Sequence, residues 1–263
     1  MVHEDLDDTK MPLIDHLIEL RRRLVYSLTT VVILFFVCYY FSENIYAFLV
    51  RPLADITAEM GGERRMIYTA LQEAFFTYVK VAFFAAMFLG FPVIASQIWM
   101  FVAPGLYKHE KRAFLPFLVA TPILFFLGGA FVYYFVFPVA WRFFLSFEAT
   151  GADASPLPIQ LEAKVGEYLS LVMQLIFAFG LCFQLPVACT LLGRAGIISS
   201  EGMKNKRRYA IVLAFVAAAI LTPPDVISQI GLAIPTILLY EISIYAVRLI
   251  ERSREREAAA RAV

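Results

Sequence analysis

The sequence predicts an all-α, polytopic membrane protein with six transmembrane helices, both termini cytoplasmic and helices five and six short. Three observations predict it. Of the 263 residues 60% are hydrophobic and only 17% charged, and mean hydropathy is +0.72, well above ordinary globular usage. The apolar residues fall in long uncharged runs that do not alternate, which suits helices and not the strands of a membrane barrel. Lys and Arg gather in alternate inter-run segments, the charge asymmetry that orients membrane proteins. No internal repeat or low-complexity tract divides the chain. One membrane domain is expected over 11–250, with cytoplasmic tails at 1–10 and 251–263.

Four runs are clear spans. Leu24–Phe41 has 18 residues without a charge. Ala74–Trp99 follows, with Lys80 near one end. Ala113–Phe137 and Tyr168–Leu192 are the third and fourth. Tyr209–Leu221 and Gly231–Val247 are the fifth and sixth, separated by "TPPDVISQI". Those two hold 13 and 17 residues, roughly 20 and 25 Å of helix against a hydrocarbon core of roughly 30 Å.

Of the 23 Lys and Arg, 17 lie before span one, between spans two and three, before span five and after span six. By the positive-inside rule those segments, and hence both termini, are cytoplasmic. A re-entrant hairpin over 209–249 gives the same charge pattern as two true crossings. The basic start and apolar body of "RRRLVYSLTTVVILFFVCYY" resemble a signal peptide. However, the body is longer than the usual ~7–15 residues and lacks a small-x-small cleavage site, so a retained first helix is expected.

Catalytic motifs are sparse. "HEKRA" at His109–Ala113 lacks the second His of a zinc-protease helix, and no G-x-S-x-G, Walker loop or C-x-x-C occurs. Asp225 and Glu241 lie 16 residues apart across a turn, which argues against a catalytic pair. Cys38, Cys182 and Cys189 read as small apolar packing residues. No enzyme, cofactor or metal site is expected. A small-solute transporter calls for broken helices converging near the midplane, often in repeated halves; here the breaks lie mostly at span ends.

Charge at helix ends remains. In "MPLIDHLIELRRRL", Leu13, Leu17, Leu20 and Leu24 recur at helical spacing and predict an amphipathic interfacial helix leading into span one. Asp15 and Glu19 share a neighbouring face. Glu19 reads either as an i,i+4 partner of Arg23, worth ~0.2–0.5 kcal/mol, or as a carboxylate presented to a cation. In "SQIWMFVAPGLYKHEKR", Pro104-Gly105 is expected to end the second helix and fix Glu110 relative to it. Two carboxylates on adjacent elements make a fork for guanidinium groups.

"HLIELRRRL", "FVAPGLYKHEKR" and "LTPPDVISQ", in this order, resemble the TatC family, the polytopic receptor subunit of the twin-arginine protein translocase. The resemblance runs over about residues 11–250. It implies a prokaryotic cytoplasmic (inner) membrane location and export of folded proteins driven by the proton-motive force. It also implies binding of twin-arginine signal peptides at the cytoplasmic face. The matching signal-peptide positions are Glu19, Arg21, Phe101, Pro104, Leu106, Tyr107 and Glu110. Implied partners are TatA-type and TatB-type single-span subunits, cargo signal peptides, membrane lipid and further copies in an oligomeric complex, with no nucleic acid. A partner-helix or structural set comprises Gln184, Pro223, Pro224, Asp225, Gln229 and Glu241. Gln184 stands where many family members carry Glu, so a titrating acid at that point is not available here. A polar side chain in lipid either satisfies a neighbouring helix or meets a partner helix.

Pro223-Pro224 forces a turn, and Asp225 is placed to cap the next helix. The short helices are met either by local bilayer thinning or by packing against longer neighbours.

Overall fold

In a computed structural model of the chain, residues 13–60, 65–106, 115–148, 161–222 and 225–261 are described. The described residues are almost wholly helical, apart from short linkers and one isolated parallel bridge between Ile67 and Lys164. Among the described residues, five helical stretches are long and apolar enough to cross a membrane: His16–Tyr40, Glu73–Phe101, Pro116–Leu145, Val165–Arg194 and Val226–Arg254.

The first helix, α1, runs unbroken over Leu13–Tyr40, about 42 Å at 1.5 Å per residue. The expected interfacial helix is therefore the first turns of the span itself. Nothing in 13–40 breaks it, because no Pro or Gly intervenes. Only 11% of its apolar window is buried, against 39–50% for the other four. It is a peripheral helix, packed along one partner, α3 (Glu73–Leu106).

A helix the sequence reading missed, α2 (Ser42–Glu59), lies in the segment between α1 and α3 and buries Leu49, Pro52, Leu53 and Ile56. Its spacing, Ile45, Leu49, Leu53 and Ile56, was legible as a helical stripe. Interior Pro52 argues against a helix, since it removes one backbone donor, and the fold overrides that cost by burying the proline ring.

The third span is α4 (Leu115–Phe131), a π-helical turn (Val132–Val136) and α5 (Phe137–Leu145). Pro138 follows the π turn; without an N–H, and with its ring crowding the preceding turn, it accounts for the widened register. The fourth span is likewise broken into α6 (Val165–Cys182) and α7 (Leu185–Arg194). Pro186 sits in the first turn of α7, where a missing N–H costs nothing. The spans α4 and α6 approach closely at two glycines. A Cβ on Gly128 would lie 2.6 Å from the Phe179 carbonyl oxygen, and one on Gly180 would lie 2.6 Å from the Phe125 ring. Small residues of this kind let helices meet in lipid. Around this contact the core is aromatic, with Phe91 stacked on Phe125 at 3.6 Å.

After the short α8 (Ser200–Asn205) come α9 (Arg207–Leu221) and α10 (Val226–Arg261). Here the expectation of two short helices needs correcting. Helix α9 is short, 15 residues or about 22 Å. Helix α10 has 36 residues, about 54 Å, and takes in residues 251–261, which were expected as a tail. Its apolar run ends near Val247, but the charged stretch beyond, rich in Glu, Arg and Ala, is a strong helix former and continues the same helix.

Candidate functional site

At the N-terminal end of α1, residues one helical turn apart face the last turns of α3. The Glu19 carboxylate accepts from Arg23 Nη2 at 3.1 Å. Arg23 Nη1 donates to Gln97 Oε1 at 3.2 Å and lies 3.6 Å from Met100 Sδ. The His16 ring stacks on Phe101 with centroids 4.3 Å apart. Positions 16, 19 and 23 share one face of α1, and positions 97, 100 and 101 one face of α3, by the helical period. The side chains of Arg23 and Glu19 keep 28% and 22% of their exposure, so the pair is open to a ligand from water.

Of the residues the sequence singled out, the structure thus brings Glu19 and Phe101 to one junction. Arg21 is exposed beside them. Pro104 and Leu106 lie in the last turn of α3, which passes through Pro104-Gly105 to Leu106 rather than ending before them. So close to a helix end, the missing N–H of Pro104 costs a single backbone bond. Tyr107 and Glu110 lie outside the described residues. His16, Gln97 and Met100 were missed, although Gln97 and Phe101 stand four apart at the end of an apolar run, a legible polar–aromatic face.

A second polar point lies half-buried at the break in the fourth span. Gln184 sits in the break between α6 and α7 and donates from Nε2 to the Thr121 carbonyl at 3.0 Å. Thr121 is buried, and its hydroxyl accepts from Trp99 Nε1 at 3.1 Å. Among the described residues, Gln184 Oε1 is buried without a hydrogen-bond partner.

The α9–α10 hairpin carries the remaining residues. Asp225 Oδ1 accepts from the Ser228 amide at 2.7 Å, capping α10 as its position predicted. Pro223 and Pro224 lie outside the described residues. Gln229 Nε2 reaches the Phe215 carbonyl at 3.5 Å, a marginal bond. At the other end Arg207 pairs with Glu241 at 2.6 Å, so Glu241 ties α10 to the start of α9. Only Ala214 and Ala218 of α9 are buried; Tyr209, Val212, Leu213, Val216 and Ile220 are exposed. On α10, Val226, Ile230, Ile234, Leu238 and Ile242 form an exposed stripe four residues apart.

Beside the far end of α9 a polar notch of about 640 Å³ opens between α3 and α6, lined by Glu73, Thr77, Lys80, Glu167, Ser170 and Gln174 among others. Glu73 closes its rim, accepting from the Thr69 amide at 2.8 Å and the Gly166 amide at 3.4 Å.

Residues 15–235 match the family described as Sec-independent protein translocase protein (TatC). The chain belongs to the TatC family. A Magnetococcus marinus member is 54% identical over 253 residues, covering 96% of this chain and 90% of its own length. A Rickettsia prowazekii member is 48% identical over 240 residues, covering 91% and 94%. The Escherichia coli K12 member is 42% identical over 253 residues, covering 96% and 94%. The fold agrees with a crystal structure of a TatC described as the twin arginine translocase receptor. The TM-score is 0.74 and the identity 37%, with 90% of this chain and 99% of that one aligned. The chain is therefore a multi-pass membrane component of the Sec-independent, twin-arginine translocase, a transport protein and not an enzyme.

Proposed function

We propose that this TatC-family chain is the signal receptor of its translocase, binding twin-arginine signal peptides at the junction of α1 and α3. The observation that carries the reading is Glu19 at that junction, within one turn of the Phe101–His16 stack. A guanidinium arriving there finds a partly exposed carboxylate and an aromatic face, two groups that recognise arginine. Glu110, on the segment after α3, supplies the second carboxylate, with Arg21, Pro104, Leu106 and Tyr107 shaping the surroundings.

The chain crosses the inner membrane of a prokaryote six times with both termini cytoplasmic, α9 being the fifth crossing. The basic cluster Lys204–Arg208 at the start of α9 supports this orientation. The exposed faces of α9 and α10, with Gln184 at the head of α7, which packs on α10, receive the single helices of TatA-type and TatB-type subunits in an oligomeric complex powered by the proton-motive force. A 15-residue α9 beside a polar notch supports a locally thinned bilayer there. Folded cargo would cross at that weakened place.

The test is binding of a twin-arginine signal peptide and its twin-lysine version to the purified full-length protein. Glu19→Ala and Glu110→Ala should each weaken twin-arginine binding, Glu110→Ala more than Asp15→Ala. Unchanged binding in both glutamate variants would falsify the reading.

A further inference from the structure

We infer that Arg23 is an internal rival for the signal arginine at Glu19, and that this resident guanidinium lowers the affinity of the site for an incoming cation. The inference rests on the signal-binding reading above.

Arg23 is bound at Glu19 in a poorly satisfied way. A guanidinium has five N–H donors in a planar fork and pairs best with both oxygens of one carboxylate. Arg23 instead splits its fork. Nη2 goes to Glu19 Oε1, and Nη1 goes to Gln97 and the thioether of Met100. A thioether is a weak acceptor. Among the described residues, Arg23 Nε is buried with no acceptor. Spacing in the helix enforces this, since an i,i+4 partner reaches along the helix surface rather than meeting the carboxylate head-on.

An incoming arginine can do better at the same carboxylate, because it approaches free of the helix and can present two parallel N–H groups. One guanidinium–carboxylate contact then replaces another, and Arg23 stays within reach of Gln97. An incoming lysine brings a compact ammonium without a fork. It must displace a guanidinium with a group less suited to the carboxylate. The resident arginine therefore weakens every cation at Glu19 by the same factor, and any preference for arginine over lysine comes from the incoming fork itself. Arg21 and Arg22, in the same turn, add repulsion that a single cation must also overcome. The pair itself is partly exposed and local, so the fold does not depend on it.

The experiment measures binding of labelled twin-arginine and twin-lysine signal peptides to the full chain in detergent, for wild type, Arg23→Gln, Arg23→Lys and Glu19→Ala. Arg23→Gln removes the rival charge and keeps a polar side chain beside Gln97. It should tighten twin-arginine binding about two- to fivefold, the scale of one partly exposed ion pair. Twin-lysine binding should tighten by the same factor, so the preference for arginine is unchanged. Arg23→Lys, a poorer rival, should fall between Arg23→Gln and wild type. Weaker twin-arginine binding in Arg23→Gln would overturn the inference and make Arg23 a residue that positions Glu19. Unchanged affinities for both peptides would overturn it as well. A Glu19→Ala protein that binds like wild type overturns instead the receptor reading on which the inference stands. Thermal unfolding of each variant separates these results from misfolding.

Discussion

Gln174 on α6 donates from Nε2 to the carbonyl of Leu221, the last residue of α9, at 2.9 Å. A helix end leaves carbonyls without intrahelical partners, and in lipid such groups are costly. The bond therefore anchors the far end of the short helix to α6, the first part of the fourth span.

The first prediction concerns that shortness. Four apolar residues inserted just before Thr222 would lengthen α9 by roughly 6 Å and remove most of the mismatch. The variant should remain inserted, losing the Gln174 anchor. Export of a folded reporter should drop while twin-arginine peptide binding stays at the wild-type level, because α1 and α3 meet at the opposite end. Normal export by a stably inserted variant would make α9 a packing feature with no part in thinning.

Asp225 should matter as a cap. Asp225→Ala removes the acceptor for the Ser228 amide and should cost about 0.5–2 kcal/mol. Asp225→Asn keeps that acceptor and should stay close to wild type. Thermal unfolding in one detergent checks the order; equal losses in the two variants would count against the cap.

The close approach of α4 and α6 is predicted to be intolerant of a single methyl group. Gly128→Ala drives a Cβ against the backbone carbonyl of Phe179, so a helix must move. The expected loss is about 1–3 kcal/mol. Gly180→Ala meets the Phe125 ring instead, a side chain rather than backbone, and should cost less. A reversal of that order in unfolding temperature would show that the ring, not the backbone, is the rigid partner.

Gln184→Leu should be mild. It loses the bond to the Thr121 carbonyl but also removes a buried oxygen without a partner. Interhelical hydrogen bonds in lipid average ~0.6 kcal/mol, so stability should change by less than about 1 kcal/mol. If the unpaired oxygen serves a partner helix, disulfide cross-linking from the α6–α7 break to a single-span subunit should weaken in this variant. Cross-linking equal to wild type would remove Gln184 from the partner surface.

Much of the architecture was legible before any coordinates. Long apolar runs specify spans because lipid forces each segment to satisfy its own backbone, a local rule. Asp225 as a cap was readable for the same reason, since capping depends on neighbours within one turn. Helix α2 was not read, because interior Pro52 obscures a stripe whose burial depends on α3 and α5. The length of α10 was misjudged where apolar character was taken to mark a helix end, although a helix leaving the membrane need not stop. At the candidate site Glu19 and Phe101 stood out, but Gln97 and Met100 did not, because polar and thioether residues near a span end have many ordinary uses.

By itself the sequence determined that this is a helical membrane protein of the TatC family, with four long apolar spans and the charges that flank them, though not the ends of every helix. These follow from hydrophobicity and local backbone chemistry, whose range is a few residues. Only the tertiary structure decided that Arg23 reaches Gln97, that Gln184 turns inward to Thr121, and that Gln174 holds the end of α9. Each joins residues 47 to 74 positions apart. Such pairings depend on which helix faces which, and that is set by close packing at contacts such as Gly128 against Phe179.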